Sequence, residues 1–330
     1  MPQCGIMAEF EIAIVGTSLL SGLLAGVLAR DHGGKVVRIG RPLSAQRLPR
    51  SLNLALPLAT RPEGWRLLRQ AEADTRTLLG SIGVPDSVGA TEAELVADLP
   101  DTAAALDHLA HMAVGFRHQV RRIDGGWAFR HVAVLDADPV ERRLREWLLA
   151  AGAASIDEGS VDARLTVLAD DDAIFDAVAA SDRPAVLVPQ SMTSTLLVSR
   201  PSSAPVRRYP DRGVTLLARP GNTMLAIVGG EHEIDARLAS TLPGPFPMKR
   251  LATTRYRRFS TSDGAPLIGP LGPHFVITGL GDTAPFLAPA IARLIAGTAA
   301  EEDKRWFAAH DPAADRSAIA DISPAIEAAP

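Results

Sequence analysis

Gly16, Ser18 and Ser21 stand at the spacing of a Gly-x-Gly-x-x-Gly turn in the stretch EIAIVGTSLLSGLLAG, residues 11–26. That spacing serves to bring backbone N–H groups and a helix N-terminus up to a diphosphate. Gly16 suits the sharp turn. Ser18 puts a Cβ where the backbone would approach the phosphates, although its hydroxyl can donate a hydrogen bond. Ser21 is small enough for close helix–strand packing, and Gly22 and Gly26 extend the small face. A carboxylate for the ribose hydroxyls belongs at the end of the next strand, where RIGRP offers Gly40 and Arg41 instead. Taken alone, the segment fits a dinucleotide turn and an α/β turn without a ligand about equally well.

Other reactive types are sparse. Asp170, Asp171 and Asp172 follow the apolar run RLTVLA. Consecutive carboxylates cannot all face one ion, so a solvated helix cap or loop is favoured over a cation site. His108 and His111 lie three apart on a predicted helix with no third ligand evident, and the eight histidines form no H-E-x-x-H. An exposed helical face is the better reading, and no metal site is expected. EHE (231–233) reads as a solvent-facing strand end. VPQSMTS lacks the glycines of a nucleophile elbow, so Ser191 reads as structural. In RYRR, Arg255 and Arg257 share one strand parity and Arg258 has the other, which suits an anion clamp better than a nucleic-acid patch.

These groups need elements to hold them. FEIAIVG is a short β-branched run, LLSGLLAGVLARDHGG reads as a helix, and KVVRIG as a second apolar strand. Together they make a βαβ unit. Residues 12–29 are apolar enough to be weighed as a membrane span, but Glu9 and Glu11 precede them where a signal peptide would carry basic residues. The βαβ reading is favoured, with no integral membrane segment. HFVITGLG is a strand ending in glycines, and PFLAPAIARLIAG has helical spacing. Such a turn offers free N–H groups and a positive dipole end. The 330 residues suffice for one large domain or two ordinary ones, and 47 % hydrophobic with 22 % charged residues suits a sizeable core. A net charge of −4 gives no basic field for nucleic acid. The single cysteine, Cys4, excludes an internal disulfide framework and fits a reducing compartment. No internal repeat is visible, and the Ala/Pro-rich end of the tail is expected to fray.

The stretch RFSTSDGAPLIGPLGPHFVITGLGDTAPFLAPAIARLIAG, residues 258–297, resembles the C-terminal signature of FAD-dependent oxidoreductases of the D-amino-acid oxidase and glycine oxidase family. The matching residues include Arg258, Thr261, Asp263, Gly264, Pro266, Gly269, Pro270, Thr278, Gly279, Gly281 and Pro289. Residues 126–153 and 213–235 resemble the family's strand–turn–helix and the hairpin of its substrate domain. The resemblance implies that Arg258 pairs with a substrate carboxylate. It also implies that Gly279, Gly281 and Asp282 lie at the flavin's pyrimidine edge. The same segment is similar to aromatic-ring hydroxylases, where the aspartate matching Asp282 binds the ribityl chain, although Pro285 replaces their histidine; SDGAPLIGP favours the first family. The A-T-G expected near mid-chain has RLTVLADDDA as its counterpart, without glycine.

The expected fold is α/β: a discontinuous Rossmann-like FAD-binding domain plus a mixed-sheet α+β substrate domain. The first takes residues 1–84, 161–190 and 259–330, and the second 85–160 and 191–258. The implied function is FAD-dependent oxidation of a small amine or amino acid at its C–N bond, in the cytoplasm. Gly16, Ser18, Ser21, Arg41, Gly279, Gly281 and Asp282 would hold noncovalent FAD, and Arg258 the substrate. The alternatives are a cofactor-weakened, flavoprotein-like subunit of a larger homo- or hetero-oligomer, and a flavin hydroxylase.

Overall fold

The chain starts as its apolar pattern dictates. Strand β1 (Phe10–Val15) enters helix α1 (Leu19–His32), which returns to β2 (Val36–Ile39), paired in parallel with β1. Helix α1 explains its own resemblance to a membrane span. It is buried from Leu19 to Ala29, pressed between the sheet and its helical neighbours. A side chain at Gly26 would run into the Trp147 ring, and one at Gly22 into Leu144. A helix packed all round must be apolar all round. Among the described residues no helix is long and apolar enough to cross a membrane. The computed structural model describes residues 10–41, 48–56, 61–198, 205–230, 233–242 and 249–318. Cys4, Glu9, Glu231, His232 and the tail beyond Ala318 lie outside them.

Helix α2 (Pro62–Ile82) follows, then strand β3 (Val88–Val96), helix α3 (Pro100–Gly115), and strands β4 (Gln119–Ile123) and β5 (Gly126–Leu135). Helix α4 (Ala137–Ala150) leads to β6 (Ala154–Ile156), β7 (Ala163–Leu168) and the short α5 (Asp171–Ala177). Next come β8 (Leu187–Val198), β9 (Val206–Tyr209), β10 (Val214–Arg219), β11 (Thr223–Gly229), α6 (Ile234–Thr241) and β12 (Arg250–Thr261). The chain closes with β13 (Leu267–Leu271), β14 (His274–Thr278), α7 (Ala288–Ile295) and α8 (Glu301–Ala309).

These strands form two sheets. The first runs β13-β14-β7-β1-β2-β6, parallel except for β13. The second runs β12-β8-β11-β10-β9-β3-β5-β4, antiparallel except where β3 meets β9. Both expected kinds of unit are present, an open parallel sheet and a mixed sheet with helices. Their segments differ from the expected boundaries. Helix α4 packs on α1, and β6 joins the first sheet, so residues 137–156 go with the parallel unit. Residues 187–190 and 259–261 pair within β8 and β12 of the second. Hydrophobic periodicity marks an element but not the sheet that receives it.

In the first sheet, β1, β7 and β14 end side by side, and their carboxyl ends carry the turns 16–18, 169–172 and 279–282. Open parallel sheets bind ligands beyond such ends. The β14 turn is not the simple helix start its sequence suggests. Residues Gly281–Leu287 form 3-10 turns around Pro285, and the α-helix begins at Ala288. Gly279 takes a φ of +73°, a conformation open to glycine at no steric cost.

Candidate functional site

Two cavities lie along those turns. One, of about 700 Å³, spans the two sheets, with apolar walls from Leu56, Met192, Ile227 and Leu287. The other, of about 260 Å³, follows the ends of the parallel strands from Thr17 to Asp282. Arg50, Arg258 and the Gly279–Asp282 turn line both.

Arg258 comes from β12, a long strand of the second sheet whose alternation sorts its cations. Tyr256 and Arg258 share one face, and Arg257 and Phe259 the other. Arg257 sits exposed, its guanidinium 4.3 Å from the Phe175 ring centroid. Arg255 is exposed. Arg258 turns into the cavities, where its Nε is buried without a hydrogen-bond partner among the described residues. Next to it Arg50, also with a buried unpartnered Nε, lies over the Tyr256 ring at 5.0 Å and reaches Asp172 at 2.5 Å. The Tyr256 hydroxyl donates to the Arg50 carbonyl at 3.0 Å, and burial pushes the phenol up from its ordinary range. Arg50 gave no signal in the sequence, because its segment lies outside any periodic element.

The three aspartates after β7 have three different tasks; the expected helix cap is met at Asp170, but the group is not a solvated loop. Asp172 pairs with Arg50. Asp171 accepts from the Thr278 hydroxyl at 2.5 Å and from the Phe259 amide at 3.1 Å. Burial pushes its carboxyl up to about 6, against the lowering effect of those two bonds and of Arg258's charge. Asp170 caps α5 through the Ala173 amide at 3.0 Å. Its other oxygen accepts from the amides of Thr17, at 2.6 Å, and Ser18, at 3.1 Å.

The remaining expected residues divide between the cavities and their surroundings. Gly16 makes the turn, and a Cβ there would stand 2.9 Å from the Asp170 carboxylate. The Ser18 hydroxyl is the N-cap of α1: it accepts from the Ser21 amide at 3.2 Å and donates to the Ala169 carbonyl at 3.3 Å. Ser21 is fully buried, bonded to the Ser18 carbonyl at 2.7 Å, and it receives Arg38 at 3.3 Å. It therefore serves packing and lines neither cavity. Gly40 fills the place of the ribose carboxylate, and a Cβ there would overlap the Gly16 carbonyl. Arg41 lines neither cavity; it is exposed and meets Glu158 at 3.4 Å. Gly279 and Gly281 line both cavities. Asp282 does too, but its carboxylate is committed to Arg208, to the Ser51 hydroxyl at 2.8 Å and to the Leu52 amide at 2.8 Å. Arg208 sits on β9, 74 residues away in the chain, and only the tertiary fold reveals it. His108 and His111 are exposed, and among the described residues no group of three or more His, Cys, Asp or Glu could hold a metal ion.

FAD, the cofactor implied by the sequence resemblance, meets an obstacle in this donor set. The two turn amides that a diphosphate would take already donate to Asp170. The narrower cavity is lined by Asp138, Glu141, Asp170, Asp171, Asp172 and Asp282 against the cations Arg50, Arg257 and Arg258. As these residues stand, the diphosphate of FAD does not fit the turn that opens α1.

No family model matches this sequence, and no curated protein matches it. Solved structures do. Glycine oxidase from Geobacillus kaustophilus superposes with a TM-score of 0.66 at 16 % identity, covering 90 % of this chain and 95 % of that one. L-Proline dehydrogenase from P. horikoshii gives 0.69 at 12 % identity, over 93 % and 98 % of the two chains. Iminodiacetate oxidase from a Chelativorans species gives 0.65 at 17 % identity, over 88 % and 96 %. At such identities the likeness is one of fold, and it extends over nearly the whole chain.

Proposed function

From the premise of this shared fold, we propose that the chain acts on a small amine or amino acid held in the larger cavity, with a substrate carboxylate at Arg258. The observation that carries this reading is the Arg258 guanidinium, which lines both cavities and whose buried Nε lacks a partner among the described residues. A planar fork of N–H donors suits a carboxylate, because two parallel bonds fix its orientation as well as its charge. An uncompensated buried donor costs free energy until a ligand satisfies it. The apolar walls suit a small side chain or ring. The neighbours' names, glycine oxidase, proline dehydrogenase and iminodiacetate oxidase, favour the same substrate class and oxidation at a C–N bond. A noncovalent flavin is the electron acceptor the sequence resemblance implies, but its diphosphate does not fit the turn that opens α1 while Asp170 holds the amides there.

A second reading is favoured by Asp170. It keeps the fold and the cavity but dispenses with the dinucleotide, as a subunit of a homo- or hetero-oligomer in the cytoplasm.

Calorimetric titration with glycine, proline and iminodiacetate, each beside a matched amine lacking the carboxylate, tests the ligand class. Arg258→Lys keeps the charge and loses the fork. It should weaken the carboxylate ligands by about tenfold or more, as expected for a truncated buried charge pair, and leave the amines unchanged. Equal losses on both would mean that Arg258 supports the fold and reads no carboxylate. Oxygen consumption with FAD supplied separates the two readings: turnover favours the oxidoreductase, and binding without turnover the subunit.

A further inference from the structure

The departures from the dinucleotide motif are not scattered. Ser18, Asp170 and the missing glycine after β7 meet at one place. One oxygen of Asp170 accepts the Thr17 and Ser18 amides, and the other accepts the Ala173 amide, so a single carboxylate caps the starts of two helices. The Ser18 hydroxyl donates to the neighbouring Ala169 carbonyl, which latches residues 169–170 onto the turn 16–18. Gly16 lets the carboxylate approach, since even a Cβ at that position would stand 2.9 Å from it. Each part requires the others. A glycine at residue 18 would release the latch, and a glycine at residue 170 would leave the turn amides without an acceptor.

We infer that Asp170 is a resident anion in the diphosphate seat, and that it takes the place of FAD's diphosphate. The electrostatics support the exchange. A helix N-terminus favours a negative group within its first turn, and a carboxylate supplied by the chain carries no cost of bringing in a separate molecule. A diphosphate entering the same turn must displace Asp170 and then face a fixed negative charge. The buried guanidinium of Arg38 completes the arrangement from below, bonded to Ser21 and lying in the field of Asp170. This inference does not rest on the amino-acid ligand proposed above, and its test reads binding alone.

The test is thermal denaturation of the whole chain in the presence of FAD, with ADP as a second probe of the diphosphate seat. Three proteins are compared: wild type, Asp170→Gly, and Asp170→Gly combined with Ser18→Gly. Asp170→Asn serves as the milder variant should the glycine substitution not fold. The expected result is no shift for wild type and a ligand-dependent rise in midpoint for the variants, matching an affinity gain of about tenfold or more, largest in the double variant. A rise in wild type equal to or larger than in the variants would overturn the inference. So would the absence of any rise in all three, since Asp170 would then not be what excludes the ligand.

Discussion

Asp171 shows how one residue can be costly to the fold and still be kept. Its carboxyl is enclosed, although the residue as a whole retains some surface, and burial raises its folded value to about 6 from an ordinary 3.8. Below pH 4 it is protonated in both folded and unfolded chains and carries no penalty. As pH rises from about 4 to 6 the unfolded chain sheds this proton while the folded chain holds it, so stability falls over that window and levels off above it. The cost by pH 7 is at most about 3 kcal/mol. His310 acts in the opposite sense. Burial holds its ring down to about 4, so it takes stability away as pH falls from 6.5 toward 4. Asp171→Asn keeps both hydrogen bonds, with the amide oxygen accepting from Phe259 and the amide nitrogen donating to the Thr278 oxygen. Its melting midpoint should exceed the wild-type midpoint by an amount that grows from about pH 4 to 6. A constant difference over that range would show that the carboxyl is not desolvated.

At the scale of elements, the C-terminal segment locks the SDGAP turn between β12 and β13. Arg316 holds both oxygens of Asp263, at 2.7 and 2.9 Å, and donates to the carbonyls of Ala265 at 2.7 Å and Pro266 at 3.0 Å. Burial is the largest single effect on the Asp263 carboxyl and would raise it, but the bonds from Arg316 and the Ala265 amide together with the Arg316 charge outweigh it and hold the group below the usual carboxylate range. Asp263 therefore contributes stability above its ordinary pKa, and the contribution is lost as pH falls through the depressed value. Arg316→Met should leave that carboxylate unpaired and cost on the order of 3 kcal/mol at neutral pH, read as a lower urea midpoint. The loss should shrink in acid, once Asp263 is protonated. Asp263 matches the sequence resemblance, but its partner does not announce itself, because a lone arginine in a tail has no periodic context.

The molecule as a whole is joined across its cavities by charge. Arg208 of the second sheet pairs with Asp282 beyond the first, and their side chains are only 11 % and 16 % exposed. The same carboxylate holds Ser51 and Leu52, so three distant segments converge on it. Arg208→Met removes the link that this carboxylate makes to the mixed sheet. It should lower the unfolding free energy by on the order of 3 kcal/mol and broaden the urea transition, as the two sheets begin to unfold separately. A sharp transition with an unchanged midpoint would show that apolar packing alone joins the units.

The βαβ start and the C-terminal strand–turn were legible because each is a local pattern: alternation, glycine placement and apolar period. The hairpin of β10 and β11 came from the resemblance alone. The parity of β12 was legible as a local pattern too, and it separates Arg258 from Arg255 and Arg257 before any coordinates are known. The motif losses at Ser18, Ser21 and Gly40 were also visible in the sequence. Their meaning was not, since it depends on Asp170, which stands 152 residues from Ser18. The sequence determined by itself that an α/β chain with a weakened dinucleotide turn was present. Only the tertiary structure decided what caps that turn, because parallel strands distant in sequence must lie side by side before a carboxylate on one can reach the amides at the end of another.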